Sequence, residues 1–247
     1  MSIKAGAVSY LNTKPLIYGF EQGRMNGSVE LIQDYPARVA SMLVDDEIDI
    51  GLVPVAIIPK LNSSHIIGDY CIGCDGPVAS VCLFSDVPMH EVKEVLLDYQ
   101  SRTSVRLAKI LIKEYWQIDP VFTDTSSDFR DRIKGKTAGL VIGDRAFEQR
   151  KISPYQFDLG EAWKNHTGLP FVFAAWISNK KLPDDLMAAF NETTGVGFDH
   201  LQEIVAANPY PLFNLMQYFT ENVSYKLDSE KRKGLAAFLA KINEHNL

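Results

Sequence analysis

The chain has 247 residues, of which 46% are hydrophobic and 23% charged, so it can bury a sizeable core as one large domain or two lobes. Its net charge of −6 argues against nucleic acid or an acidic membrane surface as the main partner, because clustered Lys and Arg bind those. Three cysteines do not make a disulfide framework, and no apolar run approaches the roughly 20 residues that cross a bilayer. No basic stretch and apolar segment follow Met1, so we expect a cytoplasmic protein.

The first elements are a strand and a helix joined by a turn that suits an anion. Residues 3–9 are mostly apolar, as in a buried parallel strand; Asn12 or Thr13 can cap the next helix, and Pro15 suits its first turn. The free N–H groups of that helix start would face the cleft at the carboxyl end of the strand, where open α/β sheets bind ligands. An ordinary strand-to-helix turn has the same pattern, so this turn alone leaves both interpretations open.

Strand-like and helix-like patterns alternate along the rest of the chain, which predicts an α/β architecture with largely parallel sheets. A second α/β unit begins near residue 85, after the nearly continuous apolar run 78–84. Strands are predicted at 48–53, 78–84, 94–98, 120–123, 138–143, 156–159 and 170–177. Helices are predicted at 36–44, from Ser104 onward, at 183–190, 199–207 and 229–243. The last helix carries Lys231-Arg232-Lys233, which we interpret as a solvated surface.

A second hydroxyl-rich turn, Ser101 to Ser104, joins a strand to a helix as the first turn does. Its Arg102 can bind a carboxylate with two parallel hydrogen bonds, or it can pair with Asp98 or Glu94 on the surface. The two turns would face each other across a cleft.

The remaining candidates each allow two interpretations. Ser80 can turn its hydroxyl toward the cleft or be a small core residue, and Asp144, at the end of a strand, can be a base or a helix N-cap. Trp163 and Trp176 can line an apolar pocket, although large aromatic side chains are more often core. Cys71-x-x-Cys74 has no second pair, and the five histidines have no metal-ligand spacing, so no metal site is expected.

The opening Ser9-Tyr10-Leu11-Asn12-Thr13-Lys14-Pro15-Leu16 closely resembles that of the chorismate dehydratases, the first enzymes of the futalosine route to menaquinone. Six further pieces resemble the same family in the same order: Val53-Pro54, Gly76 to Val81, Ser101 to Ser104, Ile142 to Asp144, Asp158 to Trp163 and Thr167 to Ala174. Together they span roughly the first three quarters of the chain.

This resemblance implies a two-lobed, type II periplasmic-binding-protein-like fold with two crossovers and a central cleft. We place one lobe at residues 1–84 with 175–247 and the other at 85–174. The resemblance makes chorismate the small-molecule substrate and Asn12 and Ser80 catalytic. The substrate-binding set that it implies is Tyr10, Asn12, Thr13, Ser80, Ser101, Arg102, Thr103, Ser104, Asp144, Thr167 and Gly168.

Dehydration of chorismate to 3-[(1-carboxyvinyl)oxy]benzoate makes the ring aromatic, so we expect no metal or organic cofactor to be required. The motifs contain no histidine except His166, so one hypothesis is that the enolpyruvyl carboxylate of the substrate takes the proton. Three alternatives remain: a small-anion-binding protein of the same fold; the sister enzyme that cleaves cyclic dehypoxanthine futalosine, which opens with Pro-Asn-Asp where this chain has Leu-Asn-Thr; and a ligand-sensing domain, which here lacks a helix-turn-helix.

Overall fold

Two β-sheets, each flanked by helices, make up most of residues 2–247, the part of the chain that the computed structural model describes. In chain order the strands are β1 (Ile3–Val8), β2 (Val29–Asp34), β3 (Ile50–Pro54), β4 (His65–Cys74), β5 (Val81–Ser85), β6 (Glu94–Leu97), β7 (Val121–Asp124), β8 (Thr137–Ile142), β9 (Tyr155–Asp158), β10 (Phe171–Ser178) and β11 (Ser224–Lys226). The helices are α1 (Lys14–Glu21), α2 (Pro36–Val44), α3 (Thr103–Glu114), α4 (Asp144–Gln149), α5 (Leu159–Thr167), α6 (Asp184–Gly195), α7 (Leu201–Ala207), α8 (Leu215–Gln217) and α9 (Ser229–Glu244). No helix within residues 2–247 is long and apolar enough to cross a membrane.

Both sheets are mixed, so the expectation of largely parallel sheets is wrong. The first sheet has the order β11-β4-β10-β3-β1-β2 and the second β7-β6-β8-β5-β9. β1 runs parallel to β2 and β3, and β6 runs parallel to β7 and β8, as the alternating pattern predicts. Four of the five antiparallel pairs involve β5 and β10, the first strands after the two crossings between the sheets, which run antiparallel to both of their neighbours. The fifth is the pair that the short strand β11 makes with β4.

The chain crosses from the first sheet to the second between β4 and β5, and it returns through α5 before β10. The predicted lobe boundaries at 84/85 and 174/175 therefore fall inside β5 and β10, several residues after the crossings. The division into two lobes stays a prediction.

The core follows the helical and strand periodicities of the sequence. Leu107, Ala108 and Leu111 on the inner face of α3 are fully buried, as their spacing predicts. Trp163 and Trp176 are also buried, so both belong to the core. Their indole rings pack against phenylalanines, edge to face, which suits large aromatic side chains.

Lys231 is not part of a solvated patch, contrary to the sequence-based interpretation. It is only 3% exposed, and its Nζ donates to Asp228 Oδ2 at 3.2 Å. The first turn of α9 carries Lys231 toward β4, where its aliphatic stem lies beside Gly73. Of these three consecutive basic residues, Lys231 therefore has its aliphatic stem in the core.

The carboxylate of Asp158 binds the loop between β4 and β5, where the chain crosses from the first sheet to the second. Asp158, the N-cap of α5, accepts the backbone N–H groups of Gly160 at 2.9 Å and Glu161 at 3.2 Å. The same carboxylate accepts the N–H of Val78 at 3.1 Å and of Ala79 at 2.7 Å. Ala79 has a φ of +66°, a conformation that costs an L-residue roughly 1–2 kcal/mol. The four hydrogen bonds to Asp158 offset that strain and fix the loop.

We expect Asp158→Asn to lower the free energy of unfolding by about 3 kcal/mol, because the neutral amide oxygen cannot replace a charged acceptor for four N–H groups. Urea unfolding followed by circular dichroism measures this change. Asp119→Asn, at an exposed loop position, is the control. A loss no larger than that of the control would contradict the role given to Asp158.

Candidate active site

A small cavity lies between the two sheets, where both predicted turns meet. Its volume is about 60 Å³, well below the roughly 300 Å³ at which sites for drug-sized ligands begin. The apolar part of its wall consists of Val8, Pro36, Pro54, Ile72, Val78, Val81, Ile142, Phe173 and Ala174, with Gly143 between them. The space between the sheets is therefore narrow, with apolar walls that suit a ring.

Six of the predicted site residues line this cavity: Tyr10, Asn12, Ser80, Ser101, Thr103 and Ser104. They come from three separate segments, namely the two turns and the first crossing. Thr13 is fully buried beneath its neighbour Asn12 and does not reach the cavity wall. The two turns face a common space, as the sequence-based hypothesis requires.

The first turn differs locally from the prediction. Leu11–Thr13 form a 3-10 turn ahead of α1, and neither Asn12 nor Thr13 caps the helix with its side chain. The Asn12 side chain stays available at the cavity because its backbone is held instead: the Tyr225 hydroxyl donates to the Asn12 carbonyl at 2.9 Å. Helix α1 is therefore preceded by a 3-10 turn and has no side-chain cap.

The second turn presents hydroxyl groups whose oxygens are already used as acceptors. Ser101 Oγ accepts the Ser104 N–H at 3.0 Å, and Thr103 Oγ1 accepts the Ala56 N–H at 3.2 Å. A hydroxyl that accepts from the protein keeps its own proton for another partner. Ser101 and Thr103 can therefore donate to a ligand, beside the first N–H groups of the twelve-residue helix α3.

Arg102 does not line the cavity. It precedes the first residue of α3, and its Nη2 donates to Ser41 Oγ on α2 at 3.1 Å. The predicted pairing with Asp98 is also wrong, because Asp98 is fully buried and its carboxylate accepts from Arg145 Nη2 at 2.7 and 2.9 Å. The helix turns Arg102 toward α2 while its neighbours Ser101 and Thr103 face the cavity.

Asp144 joins the two sheets and is not a helix cap. Gly143 holds the N-cap position of α4, and the Asp144 carboxylate accepts the Leu11 N–H at 3.3 and 3.4 Å. Burial raises the pKa of Asp144 to about 6. Gly143 has a φ of +66°, and a Cβ there would come within 2.9 Å of the Tyr10 ring, so glycine is required for this contact.

Thr167 and Gly168 lie at the C-terminal end of α5, away from the cavity. Thr167 Oγ1 donates to the Trp163 carbonyl at 2.8 Å, and Gly168 ends the helix with a φ of +73°. The neighbouring His166 contacts Glu114 at the far end of α3, about 16 Å from the cavity end of that helix. Thr167 and Gly168 thus end a helix and are not among the residues that line the cavity.

Glu114 is the centre of an ion cluster at that far end. Its carboxylate accepts from His166 at 2.8 Å, from Lys241 at 2.5 Å and from His245 at 2.7 Å. These hydrogen bonds lower the pKa of Glu114 to about 2, although burial opposes the shift. Within residues 2–247, no group of His, Cys, Asp or Glu is arranged to hold a metal ion.

The sequence does not predict several residues that contact the site. Tyr10 donates its hydroxyl to Gln100 Oε1, which also accepts from Arg145 Nη2 at 2.9 Å. Tyr218 donates its hydroxyl to Ser80 Oγ at 2.7 Å. Gln100 and Arg145 follow directly on predicted strands or turns, which could have drawn attention to them. Tyr218 carries no such signal, because it lies in an irregular segment about 140 residues from its partner.

The cavity contains no Asp, Glu, Lys, Arg or His among its lining residues. Its polar groups are hydroxyls, one amide side chain and backbone N–H groups. Such neutral donors bind anionic oxygens through directed hydrogen bonds, which are strong where water is excluded. The cavity wall therefore offers neutral hydrogen-bond donors beside apolar surface, without a charged partner.

The stability of the protein should depend on pH through Asp144. Its pKa is raised from 3.8 to about 6 on folding, so folding favours the protonated form. The contribution of Asp144 to the free energy of unfolding is roughly 3 kcal/mol. It is fully present below pH 4 and is lost as the pH rises to about 6. Asp144→Asn removes this titration and keeps an acceptor for Leu11.

We therefore expect Asp144→Asn to match the wild type at pH 4 and to be more stable at pH 7, in urea unfolding at four pH values between these limits. Equal pH dependence of the two proteins would show that Asp144 does not titrate in this way.

The fold is shared with known proteins. A structural-genomics protein from Archaeoglobus fulgidus superposes with a TM-score of 0.79 at 12% identity, over 99% of this chain and 98% of its own. A conserved Candida albicans protein with the generic periplasmic binding protein fold gives a TM-score of 0.63 at 14% identity, over 98% and 95%. The predicted α/β fold of the periplasmic-binding-protein kind is therefore confirmed.

Sequence comparison identifies the family. A protein from Thermus thermophilus named chorismate dehydratase is 29% identical over 94% of this chain and 92% of its own length. A second protein of that name, from Campylobacter jejuni, is 21% identical over 67% of this chain and 76% of its own. A family model described as menaquinone biosynthesis matches residues 3–244. The chain therefore belongs to this menaquinone-biosynthesis family.

Proposed function

We propose that the protein is a chorismate dehydratase, a hydro-lyase that converts chorismate to 3-[(1-carboxyvinyl)oxy]benzoate and water. The observation that carries this proposal is the cavity, where Asn12, Ser80 and the hydroxyls of Ser101, Thr103 and Ser104 surround an apolar space. Two relatives bear the name of this activity. The cavity offers donors for carboxylates and apolar walls for a ring, which are the two chemical features of chorismate.

The reaction needs little chemistry from the protein. The proton to be removed sits on the ring carbon that carries the ether oxygen, and a ring double bond links this carbon to the ring carboxylate. Removal of the proton places negative charge on that conjugated system. The hydroxyl group then leaves as hydroxide, takes up the proton as water, and the ring becomes aromatic. The task of the protein is to hold both carboxylates and to stabilise the growing charge.

The two sides of the cavity suit the two carboxylates. The start of α3, with Ser101 and Ser104, supplies hydroxyl and N–H donors from the second sheet. Asn12 and Ser80 supply an amide and a hydroxyl from the opposite side. Ile72 and Phe173 provide apolar surface for the ring between them. We assign Asn12 and Ser80 to the enolpyruvyl side as the residues that act at the reacting atoms.

The proton acceptor that best fits this cavity is the enolpyruvyl carboxylate of the substrate itself. Tyr10 is the one titratable side chain in the cavity wall, and burial raises its pKa, so its hydroxyl stays protonated. The Asp144 carboxylate lies outside the wall and accepts the Leu11 N–H. A substrate group in the correct pose needs no protein base, and the protein acts by positioning it.

Substrate must enter through movement of the two sheets, because the present cavity of about 60 Å³ is too small for a substituted ring. Several hydrogen bonds join the two halves of the molecule around it, among them those of Tyr10 with Gln100, Leu11 with Asp144, Ala56 with Thr103, and Arg102 with Ser41. Opening breaks these hydrogen bonds, and closure around chorismate restores them while excluding water.

The purified protein should convert chorismate to the aromatic product, and a chelator should leave the rate unchanged, because aromatisation supplies the driving force. Ultraviolet absorbance and mass spectrometry of the product follow the reaction. Loss of activity with a chelator and its return with added metal would contradict the cofactor-independent reaction. Tight binding of chorismate without turnover would support a binding protein instead.

Substitution of the cavity residues separates binding from proton transfer. We expect Asn12→Ala and Ser80→Ala each to lower kcat/KM by about ten- to a hundredfold without changing the form of the pH profile. Arg102→Ala is the matched comparison, and its effect should be smaller because Arg102 contacts Ser41 outside the cavity.

Folding of each variant is checked by circular dichroism before assay. Near-normal kinetics for both cavity variants would contradict the site, and loss of one limb of the pH profile would identify a protein base.

A further inference from the structure

Tyr218 reaches the candidate site from a distant part of the chain. It starts a π-helical turn at residues 218–222, directly after α8, and its side chain is fully buried. Turns of this kind are rare in proteins and occur frequently at functional sites. The Tyr218 hydroxyl donates to Ser80 Oγ at 2.7 Å.

The position of Tyr218 is fixed on every side. Its ring packs edge to face against Phe147 with centroids 5.1 Å apart, and against Phe213 at 6.1 Å. Its carbonyl accepts the Val223 N–H at 2.9 Å, which closes the turn. These contacts hold the hydroxyl beside Ser80.

The main chain of Ser80 is equally constrained. Its N–H donates to the Val78 carbonyl at 2.8 Å, and its carbonyl accepts the Gly143 N–H at 2.9 Å. Rotation of the side chain is the freedom that remains. A serine hydroxyl has one proton and two acceptor positions, so its behaviour toward a ligand depends on which of these its protein partner occupies.

Tyr218 occupies an acceptor position. A phenol is a stronger hydrogen-bond donor than an aliphatic hydroxyl, and burial keeps Tyr218 protonated by raising its pKa. With Ser80 Oγ accepting from Tyr218, the Ser80 proton must point elsewhere, and Ser80 borders the cavity. In that orientation Ser80 offers a proton to an anionic oxygen.

We propose that Tyr218 is a positioning residue for the dehydration reaction, because its hydroxyl fixes Ser80 as a hydrogen-bond donor to an oxygen of the anionic substrate. This inference rests on the proposed function. Tyr218 acts through Ser80 and does not itself border the cavity.

A double-mutant cycle on chorismate turnover tests this coupling. Tyr218→Phe keeps the ring and removes the hydroxyl, and it should lower kcat/KM about tenfold in the wild-type background. In the Ser80→Ala background the same substitution should lower kcat/KM clearly less, because no Ser80 hydroxyl is left to orient and only the hydrogen bond between Tyr218 and the Asn12 side chain is lost. A merely structural role would give the same loss in both backgrounds.

Tyr210→Phe is the matched control. Tyr210 also packs against Phe147, but its hydroxyl donates to the Asp144 carbonyl at 3.0 Å and not to Ser80. Its effect on kcat/KM should be equal in the two backgrounds. Equal losses for Tyr218→Phe in both backgrounds would overturn the inference while wild-type turnover still supports the proposed function. No turnover by the wild type would overturn both.

A crystal structure of the wild type with the product bound tests the inference without a variant that could misfold. Ser80 Oγ should keep its contact with Tyr218 and lie about 2.7 Å from an oxygen of the bound aromatic product. A Ser80 hydroxyl turned away from Tyr218, or one with no ligand oxygen in reach, would overturn the inference.

Discussion

The site depends on one buried carboxylate. Asp158 binds four backbone N–H groups, two from the loop that joins the sheets and two from the start of α5. A charge in the interior is costly unless hydrogen bonds replace its hydration, and these four donors do so. Because the loop is held, Ala79 can keep its unfavourable φ and Ser80 can face the cavity. The position of the Ser80 hydroxyl in the cavity wall thus follows from a residue that does not line the cavity.

The neutral character of the cavity has a chemical consequence for the proposed reaction. A guanidinium beside the enolpyruvyl carboxylate would bind it firmly, but it would also lower the pKa of that group and make it a poorer base. Hydroxyl and amide donors bind with less electrostatic stabilisation of the ionised form. A substrate that supplies its own base is therefore better served by Asn12 and Ser80 than by Arg102. The chain has a net charge of −6, so no general positive field replaces this local recognition.

The sequence predicts the helices and strands well where the hydrophobic periodicity is strong. Helix 36–44 agrees with α2 at both ends, because Pro36 suits its first position and the apolar face is regular. Both cavity turns were found because hydroxyl and amide residues follow apolar strands. The loop before β5 is not predicted because 78–84 is apolar apart from Ser80, so neither a break nor the strained Ala79 is visible in composition.

The predictions that differ from the structure in the site do so for one reason: tertiary contacts set the direction of each side chain. Arg102 and Thr103 are neighbours in sequence, yet the start of α3 sends one to Ser41 and the other to the cavity. Thr167 and Gly168 lie in a motif that resembles the family, but they end a helix. Tyr218 could not be found at all, because its contact with Ser80 spans about 140 residues and a π-helical turn has no sequence period of its own.

The cluster around Glu114 constrains motion at one end of α3. It ties the end of α9 to the ends of α3 and α5, on the side of the second sheet that is remote from the cavity. An opening motion that leaves these three contacts intact would pivot near Glu114. Since the pivot and the cavity lie at opposite ends of α3, a rotation of 10° about it would move the cavity end of that helix by about 3 Å along its arc. In such a motion the C-terminal helix would stay in place while the start of α3, with Ser101, Thr103 and Ser104, moved.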